Sequence, residues 1–135
     1  PLRTKEAFNK FSSDQDTGWI PLVLRNFTKP YRDREELRPR YRRIGDVVYI
    51  VGAVEGIQGV DHVIGNIPQQ FRPEGISIVF SMPTSVSGGI AYFARWAIEL
   101  NGDILVARTS RGNEGMDPTA WFPITASWAL GTYYA

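Results

Sequence analysis

The stretch Arg108-Thr109-Ser110-Arg111-Gly112-Asn113-Glu114-Gly115-Met116-Asp117-Pro118 runs on to Trp121 and gathers the side chains with the most chemistry in this sequence. Arg108 and Arg111 offer planar guanidinium forks, Asn113 and Asp117 an amide and a carboxylate, and Trp121 an aromatic face. Such a set can hold a sugar ring non-covalently. The aromatic face covers the C–H side of the ring, and the planar polar groups take neighbouring hydroxyls. An arginine fork also matches two oxygens of a phosphate substituent. Asp61-His62 adds an acceptor beside a neutral imidazole. The plainer readings are a solvated hairpin loop with Trp121 in the core, and an ordinary surface or capping pair at Asp61-His62. Trp96, at the centre of a strand, and Trp128, sharing a face with Phe122 and Ile124, read as core.

Catalytic patterns are missing. There is no Gly-x-Ser-x-Gly elbow, no Cys nucleophile and no glycine-rich phosphate loop. Among the later acidic residues, nothing in the spacing places two of Asp61, Asp103 and Asp117 together as a glycosidase pair. With no Cys, disulfides and thiolate metal sites are excluded, and a single His argues against a zinc site of the usual kind. No catalytic residue, metal or cofactor is therefore expected.

Charge is unevenly spread. Residues 1–43 hold 11 Lys/Arg and 6 Asp/Glu, while residues 44–135 hold 4 and 8, and the whole chain carries +1. The basic run Arg38, Arg40, Arg42 and Arg43, interleaved with Tyr41, could face nucleic acid phosphates. Asp33, Glu35 and Glu36 lie close by and the net charge is nearly neutral, so a subunit interface or a glycan phosphate suits the run at least as well, and no nucleic-acid partner is expected. No apolar run approaches the ~20 residues that span a bilayer, and no signal peptide is visible. The sequence opens on Pro1 rather than Met and so reads as a fragment or a processed product.

The elements that must carry these groups read as short strands. With 135 residues, 43% of them hydrophobic, and with 13 Gly and 9 Pro spread along its length, the chain fits one β-rich domain. Residues 1–15 are polar and read as an arm. Gly18 to Phe27 reads as a strand carrying Trp19, Val23 and Phe27, with Pro21 favouring an edge or a strand start. Residues 28–40 form a long loop, and 41–57 a strand or strand pair. Val60 to Ile67 is a short strand ended by Pro68, and Ile76 to Ser81 another. Pro83 to Gly89 is a loop, Ile90 to Leu100 and Asp103 to Thr109 a hairpin, and Trp121 to Leu130 the closing strand.

Two details bear on assembly and register. After Gly45-Asp46 come eight residues without charge: Val47, Tyr49, Val51 and Ala53 project to one side, and Val48, Ile50, Gly52 and Val54 to the other. Neither side is polar, so the strand should be covered on both faces, and in a chain this short a second subunit could supply one cover. In the hairpin, a three-residue loop with Gly102 at positive φ pairs Ile98 with Ile104 and Trp96 with Val106, and keeps Arg95 away from Arg108.

The order of these features resembles a known arrangement: Gly18-Trp19 opening a strand, Tyr41 to Ile50 followed by Gly52, Ile67-Pro68-Gln69-Gln70-Phe71-Arg72-Pro73, Leu100-Asn101-Gly102-Asp103-Ile104, and an aromatic closing strand. It is similar to the C-terminal head domain of bacteriophage tail receptor-binding proteins, notably of the lactococcal-phage type, over about residues 18–130. The resemblance implies an all-β fold, an antiparallel β-barrel or jelly-roll-like sandwich, working as a homotrimeric head. It implies residues 1–17 as an arm or the end of a preceding stalk or shoulder, and 18–135 as the receptor-binding head. The implied activity is recognition of host cell-wall saccharide, including phosphate-bearing polysaccharide, without cleavage. Implied partners are that polysaccharide, two further copies of the chain and other baseplate or tail proteins, at the virion's tail tip and without membrane insertion. A structural tail tip with no glycan pocket and a glycan-degrading enzyme are the alternatives.

Overall fold

The structure, a computed structural model, describes residues 15–87, 89–111 and 117–130. Nine strands follow in chain order: β1 (Ile20–Pro21), β2 (Lys29–Pro30), β3 (Arg40–Ile44), β4 (Val47–Glu55), β5 (His62–Asn66), β6 (Ile78–Ser87), β7 (Ile90–Ile98), β8 (Asp103–Thr109) and β9 (Phe122–Ala129). The other regular pieces are three single 3-10 turns, and no α-helix occurs among the described residues. Every strand pairing is antiparallel. The chain is all-β, as the sequence implies.

One sheet has β4 at its centre. β9 runs along one flank of β4, and the other flank is shared by β3 and β2. The second sheet has the order β5-β8-β7-β6. Their inward faces meet in one core. Val48, Ile50, Val54, Phe122, Ile124 and Trp128 come from the first sheet, and Ile64, Trp96, Ile98, Ile104 and Val106 from the second. Two contacts bend the sandwich toward a barrel. The Arg25 N–H donates to the Ile64 carbonyl at 2.9 Å along the open edge of β5. On the other side, the Trp121 N–H donates to Ser85 Oγ at 2.9 Å and the Thr84 hydroxyl donates to the Trp121 carbonyl.

Local sequence explains the turns. Gly45 takes φ of 56° in the two-residue turn joining β3 to β4, where Ile44 pairs Val47. In the β7–β8 hairpin the Glu99 N–H donates to the Asp103 carbonyl at 2.9 Å, leaving a three-residue loop with Gly102 at φ 93°. A side chain on Gly102 would run into the Ile67 carbonyl and Arg72, so the residue satisfies both a backbone and a packing demand.

The long Gly18–Phe27 strand expected from sequence shrinks to Ile20–Pro21. Pro21 does sit on the sheet's edge strand. Beyond it, Leu22 turns into the core, and the chain leaves the sheet. Asn26 and Phe27 both take positive φ, 57° and 65°, in a turn closed by the Thr28 N–H on the Arg25 carbonyl at 3.1 Å. The expected loop at 83–89 is instead the end of β6, which continues through Ser87 across a register shift between Pro83 and Val86.

The double shielding of the apolar strand holds only in part. Val48, Ile50 and Val54 are fully buried, and Ala53 and Glu55 are buried beneath the 31–39 excursion. The outward side of Val47, Tyr49 and Val51 is not closed among the described residues, and Tyr49 is 38% exposed. A strand has two faces, and among the described residues no second layer reaches that half of β4.

The hairpin register carries a second difference. Ile98 pairs Ile104 and Trp96 pairs Val106, as the three-residue loop requires. A β-bulge then inserts Ala107, so that Arg95 pairs with Arg108 after all. Without the bulge Arg108 would fall opposite Ala94 and point into the core. The extra residue returns the guanidinium to the outer face.

Candidate functional site

The strand directions give the molecule two distinct ends. At one, Gly45 and Asp46 meet both limits of the described chain. The Gly45 N–H donates to the Gln15 carbonyl at 2.8 Å, and the Leu130 N–H to the Asp46 carbonyl at 2.6 Å. At the other end lie residues 26–33, 56–62, the β6–β7 hairpin and the segments 108–111 and 117–121, tied together by the Gly56 N–H on the Pro118 carbonyl at 3.0 Å. Asp61, His62, Arg108, Arg111, Asp117 and Trp121 therefore share the end remote from where the chain enters and leaves. Asn113 lies outside the described residues.

The structure places them as separate groups. Arg111 is exposed, with its guanidinium carbon 5.4 Å from the centroid of Tyr92. Asp117 is exposed, and its carboxylate accepts from the Thr119 N–H at 2.8 Å and the Thr119 hydroxyl at 2.7 Å. Those bonds, and then the field of Arg111, hold the Asp117 carboxyl below the usual aspartate range. Trp121 is half-buried, neither core nor free surface, with its backbone fixed by Thr84 and Ser85. Arg108 is exposed on the outer face of the second sheet.

His62 is half-buried with both ring nitrogens engaged. Nε2 lies 2.8 Å from Thr28 Oγ1, and Nδ1 accepts from the Gln58 N–H at 3.2 Å. Burial pushes its pKa below the ordinary histidine value. A ligand at His62 would have to displace one of those bonds. Asp61 beside it is exposed at φ 50°, and its N–H donates to the bulged Ala107 carbonyl at 2.9 Å. Trp96 and Trp128 are core, and the Trp128 indole N–H donates to the Phe71 carbonyl at 2.9 Å.

A second aromatic surface escaped the sequence reading. Trp19 is 42% exposed on the outer face of the first sheet, with the guanidinium carbons of Arg40 and Arg42 at 5.3 and 5.4 Å from its ring. Beside it a groove of about 480 Å³ is lined by Trp19, Arg42, Ile44, Tyr49, Val51 and Thr125, among others. Arg42 is held by Asp16 through two bonds, Nε to Oδ1 at 2.8 Å and NH2 to Oδ2 at 2.5 Å. Arg38 forks onto Glu35 in the same way, at 2.8 and 2.9 Å. The basic run is thus largely neutralised by local carboxylates, which leaves the groove apolar rather than cationic. The alternation of Arg40 and Arg42 opposite Trp19 was the available signal, visible only once β1 is paired with β3.

No protein-family model matches the sequence, and no curated protein matches it. Among solved structures, the fold is similar to the receptor binding protein (gp15) of Listeria phage PSA, with a TM-score of 0.61 and 15% sequence identity over 91% of this chain and 70% of that one. At that identity the likeness speaks for the fold.

Proposed function

We propose that this chain is the host-recognition head of a phage tail receptor-binding protein and binds a host cell-wall saccharide without cleaving it. The observation that carries this reading is the fold likeness to a phage receptor binding protein over nearly the whole chain. The polarity of the molecule supports it. Both described chain limits lie at one end, and Arg108, Arg111, Asp117, Trp121, Asp61 and His62 at the other, so a stalk attached through residues 1–17 leaves those groups facing outward. Mixed guanidinium, carboxylate and aromatic surface is the equipment of a saccharide site. In this reading the chain works as a homotrimer on a tail tip or baseplate, in contact with other tail proteins. The open apolar side of Val47, Tyr49 and Val51 is the face turned toward a neighbouring copy. Each head binds weakly because few sugar atoms are buried, and several heads on one wall supply avidity.

The test is retention on purified cell walls from a panel of Gram-positive bacteria, with assay of reducing ends. Retention on at least one wall, with no sugar released, is expected. No retention on any wall points to a purely structural tip, and release of reducing ends to an enzyme.

A further inference from the structure

After residue 43 the chain has only four basic residues: Arg72, Arg95, Arg108 and Arg111. Arg72 is tied down, donating to the Ile67 carbonyl at 2.9 Å and to Asn66 Oδ1 at 3.2 Å. The other three all lie on or just beyond the β7–β8 pair, within a half of the chain that is otherwise acidic. Arg95 and Arg108 are directly opposite each other on neighbouring strands, both exposed, and neither side chain has a hydrogen bond or ion pair among the described residues. Directly opposed like charges on a sheet are unfavourable. The bulge at Ala107 is the device that brings them together, and bulges commonly re-aim a side chain beside a functional site.

The row continues with exposed Ser81, the β6 partner of Arg95. Two residues along β7 on the same outward side stands Phe93, more than half exposed. Two forks, a hydroxyl and an aromatic face thus lie together on the second sheet's outer surface. They lie beside the end that carries the candidate loops.

We infer that Arg95, Arg108 and Ser81 form a subsite for an oxyanion carried on the bound saccharide, a phosphodiester or a carboxylate, with Phe93 flanking the sugar to which it is attached. This rests on the saccharide-binding reading above and names the charge class of its ligand. An anion between the two guanidinium groups converts a mutual repulsion into two charge-assisted contacts. The repulsion left in the free protein makes the site selective for charged over neutral sugars.

The experiment is titration of the full chain with glycerol 1-phosphate, glucuronate and neutral glycerol at low salt, followed by amide NMR shifts of β7 and β8. Arg95→Gln and Arg108→Gln are compared with the wild type, with the melting temperature recorded for each. At least one anion is expected to bind better than glycerol, and the stronger of the two identifies the source as phosphate or carboxylate. Each substitution is expected to weaken anion binding about tenfold, the loss of one charge-assisted bond, while the melting temperature stays level or rises. Anions binding no better than glycerol, or binding the variants as tightly as the wild type, would overturn the subsite. Retention on cell walls is measured in parallel. Wall retention unaffected in both variants removes the subsite and leaves the saccharide reading standing, whereas anion binding without any wall retention supports the subsite and removes that reading.

Discussion

His62 and Thr28 clasp the two sheets at the loop-bearing end, with Nε2 and Oγ1 2.8 Å apart. The Gln58 N–H on Nδ1 fixes the neutral tautomer, so that Nε2–H donates to the hydroxyl. Burial holds the folded pKa below 6.5, and the folded state therefore binds fewer protons than the unfolded one. The contribution is complete above pH 6.5 and declines as the pH falls from there toward the folded value. Urea melts between pH 8 and pH 5 should show this loss, and His62→Gln should flatten it. An unchanged slope in His62→Gln would remove the clasp from the account.

Asp16 ties the segment before β1 to Arg42, and the two bonds plus the Gly18 N–H lower its pKa to about 2. The sign is that of a depressed carboxylate: the pair is intact above pH 3.8 and is lost as the pH falls through about 2. Asp16→Asn should leave global unfolding nearly unchanged, since both partners are substantially exposed. It should speed hydrogen exchange at the Thr17 amide, which donates to the Arg43 carbonyl at 3.0 Å. Exchange as slow as in the wild type would show that the ladder alone holds the strap.

Gly102→Ala forces a left-handed backbone on a β-carbon and drives that carbon against the Ile67 carbonyl. A loss of about 2 kcal/mol or more is expected in chemical denaturation, from the backbone conformation and the collision together. Gly75, also at positive φ but with open space around it, should lose less on the same substitution.

The two tryptophans of the closing segment should part company. Trp128→Ala removes a buried ring and the bond to the Phe71 carbonyl, and should destabilise by about 3–5 kcal/mol. Trp121→Ala and Arg111→Ala should weaken retention on cell walls, with a smaller change in melting temperature than Trp128→Ala. A Trp121→Ala protein that melts as early as Trp128→Ala and binds walls normally would move the site away from residue 121.

Tyr49→Lys tests the open face of β4. Light scattering of the parent chain is expected at about 46 kDa, three copies of 15.2 kDa, and of the variant at one copy. A parent that scatters as a single copy at micromolar concentration would end the trimer proposal.

What the sequence made legible followed period and turn chemistry. Strand β4 appears where the uncharged run after Gly45-Asp46 requires it, the Asn101-Gly102 hairpin where a positive-φ glycine does, and the core face Phe122–Ile124–Trp128 where alternation does. What it hid depended on pairing. Phe27 is apolar enough for a strand, yet Asn26 and Phe27 turn left-handed and the ring is left 85% exposed. The bulge at Ala107 has no local signature, because its physical reason is the need to keep Arg108 out of the core. The Trp19 platform needs the β1–β3 register before its two arginines can be seen. Of the proposed ligand residues, the common end of the molecule emerged only with the strand directions.

Gln15 and Leu130 both hang beside the Gly45–Asp46 turn, at the foot of the long strands. Any pull between the far loops and a tether therefore runs lengthwise along β4 and its flanking strands. Their hydrogen-bond ladders would be sheared together rather than unzipped one rung at a time.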